Sequence, residues 1–199
     1  MPENHYSMSF TTAALAKTES RLIAELYLIK KDWRLVSQEA VESNTIQART
    51  ASSLKRVTRE VISRLRLLPD ELVNLVSRGN RIESNAALWM GVCIRYPFIG
   101  EFALEVLSEK FMQLDLSLSY DDYDRFFYRK AEWMASLETL SPSTRSKQRQ
   151  VLFRMLKDAD YISAKGEIQP FILPHGLASI LTRHPELPRL IFPADVSHV

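Results

Sequence analysis

The sequence predicts an all-α protein with a compact globular fold. Of its 199 residues, 46% are hydrophobic and 25% are charged, as is typical of a globular chain with a sizeable core. Apolar residues recur every three or four positions through most of the chain, which is the period of helices that bury one face. Five glycines leave little material for a glycine-rich phosphate loop, and one cysteine excludes an internal disulfide.

Four helices are predicted in the first 80 residues. They span about residues 12–30, 32–41, 52–68 and 70–76. Thr11 or Thr12 caps the first helix, and Pro69 ends the third. Gly79 and Asn80 form a chain reversal. We expect this reversal to separate an N-terminal helical domain, residues 1–80, from a C-terminal helical domain, residues 81–199.

Five further helices are predicted after the reversal. They span about residues 83–96, 98–111, 119–140, 141–158 and 175–182. The Ser141-Pro142 pair is a strong helix start, because serine caps a helix and proline suits its first position. Residues 161–169 are compatible with a short wing-like hairpin or an extended loop, and the loop is slightly favoured.

An aromatic stripe on the helix predicted over 119–140 is interpreted as core. Its members are Tyr120, Tyr123, Phe126, Phe127, Trp133 and Met134. Base stacking is the alternative interpretation, but neighbouring carboxylates at Asp121, Asp122 and Asp124 would repel phosphate.

Positive charge is concentrated in two islands. Residues 45–82 and residues 141–157 each carry a net charge of +5, whereas the rest of the chain carries −8, for a total of +2. A localised basic surface is typical of a protein that binds a polyanion. Two ordinary solvated helix faces are the alternative explanation.

The two islands contain similar segments. Ser53–Leu65 matches Ser143–Met155 with an offset of 90 residues, so that Lys55 meets Arg145 and Arg59 meets Arg149. In both segments hydroxyl and basic residues come first and apolar residues follow. The second helix of a helix-turn-helix has this grading, because its first turns enter the major groove while its later turns pack on the core.

The pattern therefore predicts two helix-turn-helix elements, one in each domain. The candidate DNA-binding residues are Arg49, Thr50, Ser52, Ser53, Lys55, Arg56 and Arg59 in the first, and Ser143, Thr144, Arg145, Lys147, Gln148 and Arg149 in the second. Arginine and lysine can contact phosphates or guanine edges, and the hydroxyls can bond phosphate oxygens.

Three stretches carry a family resemblance. They are RTASSLKRVTREVISRL, NAALWMGVCIRYPFIGEFALEVL, and LSPSTRSKQRQVLFRMLKDADYI with a later IQPFILP. With these segments the chain resembles the BrxA family of bacteriophage-exclusion (BREX) defence systems. The resemblance implies a small, helical, cytoplasmic protein that binds double-stranded DNA through two helix-turn-helix elements, here 50–66 and 141–157. It also implies a system in which a separate subunit methylates host DNA.

Catalytic and metal-binding patterns are not found. His5, His175, His184 and His198 are scattered and have no zinc-ligand spacing. Cys93 lies in the most apolar predicted helix, where a buried and unreactive thiol is expected. A nuclease built on the three aspartates near residue 122 is a weak alternative, because helix capping explains them better.

We therefore expect a non-catalytic DNA-binding accessory protein of a BREX-type system. It would be cytoplasmic and monomeric, with double-stranded DNA and other BREX subunits as partners, no cofactor and no membrane contact. The alternative is a protein–protein scaffold subunit of a defence or methylation complex. Phe153, expected to be exposed on the polar side of its helix, is compatible with that alternative.

Overall fold

The computed structural model describes residues 7–194, and over this range it is all-α, as predicted. The helices are α1 (Lys17–Lys30), α2 (Trp33–Glu42), α3 (Ala51–Leu65), α4 (Asp70–Arg78), α5 (Arg81–Arg95), α6 (Pro97–Phe102), α7 (Glu109–Met112), α8 (Tyr120–Ala131), α9 (Ala135–Glu138), α10 (Pro142–Asp158) and α11 (His175–Arg183). A π-helical stretch, Ala103–Ser108, joins α6 to α7 without a break.

The first five helices pack against one another. Helix α1 contacts α2, α3 and α4, and α5 packs on α3 and α4. The apolar stripe of α3 is buried as expected, since Leu54, Val61 and Leu65 are at most 7% exposed. This packing leaves the opposite face of α3 free to meet solvent.

Helix α5 is the buried centre of the molecule. Trp89 is fully buried, and its indole N–H donates to the carbonyl of Ile191 at 2.9 Å. Cys93 on the same helix is also buried, and burial raises the pKa of its thiol well above the usual range. The expectation of an unreactive thiol in an apolar helix is consistent with this environment.

No single helix among residues 7–194 combines the length and apolar character of a membrane span. The consecutive stretches Arg81–Arg95 and Pro97–Met112 reach that length only together, and the chain bends by 117° between them.

Residues 161–169 fold back on themselves as a short hairpin, the less favoured of the two sequence-based alternatives. Ile162 and Ile168 form an antiparallel bridge, and a second bridge joins Ser117 to Glu167. Gly166 has a φ of 87°, and a Cβ there would lie 2.7 Å from the carbonyl oxygen of Leu118. Only glycine therefore suits this turn.

The N-terminal segment is not helical where a helix was expected. Residues 7–16, here called the strap, precede α1, which begins at Lys17 and not after Thr12. The buried guanidinium of Arg64 donates to the carbonyls of Thr12 and Ala14, at 3.1 and 2.6 Å. In a helix, backbone N–H groups would donate to these same carbonyls. The hydrogen bonds from Arg64 therefore take the place of the helical hydrogen bonds.

The helix predicted over 119–140 is interrupted after Ala131. Tyr123, Phe126 and Phe127 are buried as predicted. Tyr120 and Trp133 were also predicted to be core, but they are 44% and 85% exposed, and Trp133 follows the break. The helical spacing that placed Trp133 on the apolar face does not continue through the turn.

One hydrophobic cluster contains residues from both sides of the reversal at Gly79 and Asn80, including Leu65 and Trp89. The reversal itself is present, since α4 ends at Arg78 and α5 begins at Arg81. The division of the chain into two domains, residues 1–80 and residues 81–199, stays a prediction.

Replacing Arg64 by alanine should lower the free energy of unfolding by about 3 kcal/mol, because it leaves Glu60 buried without its cation and two strap carbonyls without donors. Urea unfolding followed by circular dichroism measures this change. Arg66→Ala is the matched control, since Arg66 is exposed and should change stability by no more than about 0.5 kcal/mol. Equal effects of the two substitutions would contradict the structural role of Arg64.

Cys93 should react with a thiol reagent such as dithiobisnitrobenzoate only as fast as the protein opens, because its sulfur is buried and its pKa is raised. The rate is measured from the absorbance of the aromatic thiolate that the reagent releases. A rate in native buffer equal to that in denaturant would show that the thiol is accessible.

Candidate functional site

The residues predicted for the first basic element lie around the start of α3. Thr50 is the N-cap, and its hydroxyl accepts a hydrogen bond from the N–H of Ser53 at 3.1 Å. Ser53 is half-buried. The other predicted residues of this element are exposed, namely Arg49, Ser52, Lys55, Arg56 and Arg59. The structure thus places this set on one accessible end of the helix.

Two adjoining grooves follow the exposed face of α3. The first, with a volume of about 510 Å³, is lined by Ser52, Lys55, Arg56 and Glu60 of α3 and by Ser9 and Thr12 of the strap. The second, of about 710 Å³, lies between α3 and α2. The side chains of Arg59, Ser63 and Arg95 line both grooves, so the two form one continuous surface.

Three cations on this surface were absent from the predicted set. Arg34 comes from α2, Arg66 from the C-terminal end of α3 and Arg95 from the end of α5. Of the three, only Arg66 belongs to the same helix as the predicted residues. It has the helical spacing of the exposed residues of α3, and this spacing could have identified it from the sequence. Arg34 and Arg95 are brought in by packing between helices, which sequence spacing does not report.

We call the six cations the α3 cationic surface. They are Arg34, Lys55, Arg56, Arg59, Arg66 and Arg95. Among residues 7–194 none of them pairs with a carboxylate. Arg95 donates to the hydroxyl of Ser63 at 3.4 Å and lies 5.1 Å from the ring centre of Tyr96, contacts that orient the guanidinium without neutralising it.

Glu60 is a carboxylate that lines the first groove, and its side chain is mostly buried. Its Oε1 accepts from Arg64 Nε at 2.8 Å and from the Tyr96 hydroxyl at 2.5 Å, and its side chain is 13% exposed. Burial and the hydrogen bond to Glu60 raise the pKa of Tyr96 well above its usual range, so the phenol stays a donor. The negative charge is therefore compensated inside the protein.

The predicted residues of the second element are divided between surface and interior. Ser141 caps α10 and accepts from the N–H of Thr144 at 3.2 Å. Ser143, Thr144 and Lys147 are exposed. Gln148 is 1% exposed, and its amide donates to the carbonyl of Met8 in the strap at 2.8 Å. It therefore does not line the molecular surface.

Arg145 and Arg149 lie against α8. The guanidinium of Arg145 is 4.9 Å from the ring centre of Tyr128, and that of Arg149 is 4.5 Å from the ring centre of Tyr120. Arg149 also forms an ion pair with Asp124. Both arginines hold α10 on α8, and the charge of Arg149 is neutralised by a neighbouring carboxylate.

The reason for this division is a one-residue error in the matched segments. The two N-caps, Thr50 and Ser141, are 91 residues apart, and each accepts from the third residue after it. With the predicted offset of 90, buried Arg64 would match exposed Arg154. With 91, it matches buried Met155. One residue rotates a helix by about 100°, so the offset of 90 aligned buried positions of one helix with exposed positions of the other.

Phe153 was expected to be exposed, and it is 6% exposed. Its ring packs edge-on against Tyr120, with the centroids 4.7 Å apart. The same rotation explains the error, because Phe153 matches buried Ile62 once the register is corrected. This residue gives no support to a protein-docking surface.

Two of the three aspartates of α8, Asp122 and Asp124, have side-chain partners. Asp122 accepts from the N–H of Ser119 at 2.7 Å and completes a capping box, which confirms its predicted capping role. Among the described residues no group of three or more His, Cys, Asp or Glu side chains is arranged to hold a metal ion. His175 is exposed and His184 lies beside Glu186, while His5 and His198 lie outside the described residues.

Comparison with solved structures finds the same fold in another protein. The chain is similar to an uncharacterised protein from Magnetospirillum magneticum, with a TM-score of 0.76 and 22% identity. The match covers 91% of this chain and 94% of the other. This likeness concerns the fold alone.

Sequence relatives and a family profile agree with each other. The chain is 28% identical to the BREX protein BrxA of Bacillus cereus (strain H3081.97) over 127 residues, which is 64% of each chain. It is 26% identical to the BREX protein BrxA of Escherichia coli O9:H4 (strain HS) over 148 residues, which is 74% of this chain and 70% of the relative. The profile of the BrxA family matches residues 4–185. The chain therefore belongs to the BrxA family of BREX phage-defence systems.

Proposed function

We propose that this protein binds double-stranded DNA without catalysis, as an accessory component of a BREX system. The observation that carries the proposal is the α3 cationic surface, where six cations lack carboxylate partners within the described residues. Phosphate contacts from such a surface supply most of the affinity of a protein for duplex DNA. Binding as a monomer is part of the proposal.

The position of α3 relative to α2 supports this mode of binding. The two helices pack together and are joined by residues 43–50, the order of a helix-turn-helix. In that motif the first turns of the second helix enter the major groove. Ser52, Arg56 and Arg59 would then face the groove, and Arg34, Arg66 and Arg95 would contact phosphates beside it.

The C-terminal half has the element order of a winged helix-turn-helix. Helix α8 is followed by the short α9 and then by α10, and the hairpin at 161–169 follows α10. Ile168 N–H donates to the carbonyl of Leu116, which ties the hairpin to the segment before α8. This order supports a second DNA-binding element, with α10 as its recognition helix.

Other BREX subunits are a second class of partner, since the family belongs to a multi-subunit defence system. The scaffold alternative has lost the support of Phe153, which is buried. A pull-down after nuclease treatment distinguishes the two roles. Retention of a subunit without any shift of free duplex would favour the scaffold.

Duplex affinity should fall steeply with salt. If about six phosphates are contacted, the logarithm of the binding constant should fall against the logarithm of salt concentration with a slope near −5. Fluorescence anisotropy with a labelled duplex between low and moderate salt gives this slope. A slope near zero would exclude the phosphate-dominated mode.

Arg56→Glu combined with Arg59→Glu should weaken duplex binding by roughly tenfold or more at 0.1 M salt, because two phosphate-facing cations are reversed. The helical circular dichroism signal and the thermal midpoint should stay unchanged, since both side chains are exposed. Arg78→Glu with Arg183→Glu is the matched control, because it makes the same change in net charge on other helices. Unaltered binding by the α3 variant would remove α3 from the interface.

A further inference from the structure

A third groove lies between α1 and the junction of α4 with α5. It is lined by residues between Lys17 and Ile29 on α1 and by residues between Val76 and Asn85 across α4 and α5, and we call it the α1–α4 groove. Its volume is about 800 Å³. Sites for small organic ligands have volumes of roughly 300–1,000 Å³, so the groove is large enough for such a ligand.

The N-terminus of α1 is part of this groove, and its backbone donors are unpaired. The N-cap residue, Ala16, has no side-chain acceptor to offer. Among residues 7–194 the N–H groups of Lys17, Thr18 and Glu19 have no acceptor, and the first paired N–H is that of Ser20, which donates to the carbonyl of Ala16. Free N–H groups and the positive end of the helix dipole together favour an anion, a phosphate above all.

Ser77 is a second feature that indicates a ligand, and it is independent of the helix end. It lines the groove from the last turn of α4 and is 5% exposed. Its hydroxyl has no hydrogen-bond partner among the described residues. Such a hydroxyl costs free energy, because it has given up its hydrogen bonds to water without replacing them. An oxygen atom of a ligand in the groove would supply the missing partner.

Two cations of the groove keep their charge. Arg78 pairs with no carboxylate among residues 7–194, and Lys17 donates to a neutral acceptor, the carbonyl of Asp158, at 2.8 Å. A third cation, Arg81, is paired with Asp160. Because Asp158 and Asp160 are neighbours at the end of α10, these contacts bring the N-terminus of α1 and the start of α5 together. The unpaired N–H groups therefore lie in a locally positive environment.

Along α1 the lining of the groove changes from polar to apolar. Arg21, Glu25 and Ile29 are four residues apart and so lie on one face of the helix. Arg21 and Glu25 pair with each other at 3.2 Å and remain open to solvent, so they can also bond polar groups of a ligand. Ile29 lies about 18 Å from Lys17 along the helix. It is 76% exposed and lines the groove together with Val76.

We propose that the α1–α4 groove binds a small phosphate monoester with an organic body, the class to which nucleoside monophosphates belong. The phosphate lies at the N-terminus of α1, where the N–H groups of Lys17 and Thr18 donate to it and Arg78 balances its charge. The Ser77 hydroxyl donates to one of its oxygens. The organic body extends along α1 past Arg21 and Glu25. This site is separate from the α3 cationic surface and does not rest on the proposed function.

Backbone amide signals measured by NMR give the most direct test. Titration of the isotopically labelled wild-type chain with adenosine monophosphate should shift the amide signals of Lys17, Thr18 and Glu19 to saturation, because these N–H groups gain an acceptor. Inorganic phosphate should shift the same signals with several-fold weaker affinity, since it leaves the rest of the groove empty. Adenosine, which has no phosphate, should not shift them.

Two substitutions test the side chains. Arg78→Ala should weaken the binding of adenosine monophosphate by about tenfold, because it removes a charged donor. Ser77→Ala should weaken binding several-fold without lowering the thermal midpoint, because the hydroxyl has no partner in the free protein. Arg154→Ala is the matched control, since it removes an exposed cation from α10 and should bind adenosine monophosphate as wild type does.

Three results would contradict the proposal. A titration without saturable shifts at Lys17, Thr18 and Glu19 would exclude the site. Equal affinities for inorganic phosphate and adenosine monophosphate would show that the groove takes no organic body. Equal losses in Arg78→Ala and Arg154→Ala would reduce the effect to general charge attraction.

The double variant Arg56→Glu with Arg59→Glu separates this site from the proposed DNA surface. It should bind adenosine monophosphate as wild type does, because both substitutions lie on α3. If this variant loses duplex binding and keeps the amide shifts of α1, the two sites are independent. If it loses the amide shifts as well, the phosphate binds on α3 and the proposed groove is wrong.

Discussion

The buried guanidinium of Arg64 is the contact on which the arrangement of the molecule depends. A cation with a 4% exposed side chain must be compensated, and it takes Glu60 together with two strap carbonyls. This compensation has two consequences. Glu60 lines the first groove, but its charge is compensated by Arg64, so the six cations of the α3 cationic surface keep theirs. The strap is also fixed in a non-helical path between α3 and α10, where Met8 accepts from Gln148.

The two basic helices, α3 and α10, have similar sequence patterns, but their cations have different surroundings. On α3 the basic residues of the first turns stay exposed, and neighbouring helices add Arg34 and Arg95. On α10 two cations, Arg145 and Arg149, pack on α8, where aromatic rings hold both and Asp124 pairs with Arg149. An arginine can pack its guanidinium over an aromatic ring or present it to a ligand. On α10 these two roles compete for the same side chains. This competition makes α3 the stronger candidate surface.

Membership of the BrxA family and the charge distribution answer different questions about this protein. The family places the chain in phage defence, whereas the charges concern which molecule it can bind. For the proposed DNA binding, the overall charge of +2 matters less than the concentration of unpaired cations on helix faces. The pairing of Glu60 with buried Arg64 leaves that concentration of exposed cations in place.

Most helices were predictable from sequence alone, because their apolar period and capping residues are local. Ser141-Pro142 marks the start of α10, and Pro69 separates α3 from α4, as the structure has them. The strap could not be predicted, because its conformation depends on a side chain fifty residues away. Trp133 was misplaced because a turn broke the period, and the faces of α10 were misplaced because a one-residue slip rotates a helix by about 100°. Local pattern thus determined where helices form, and tertiary packing decided which of their charges reach the surface.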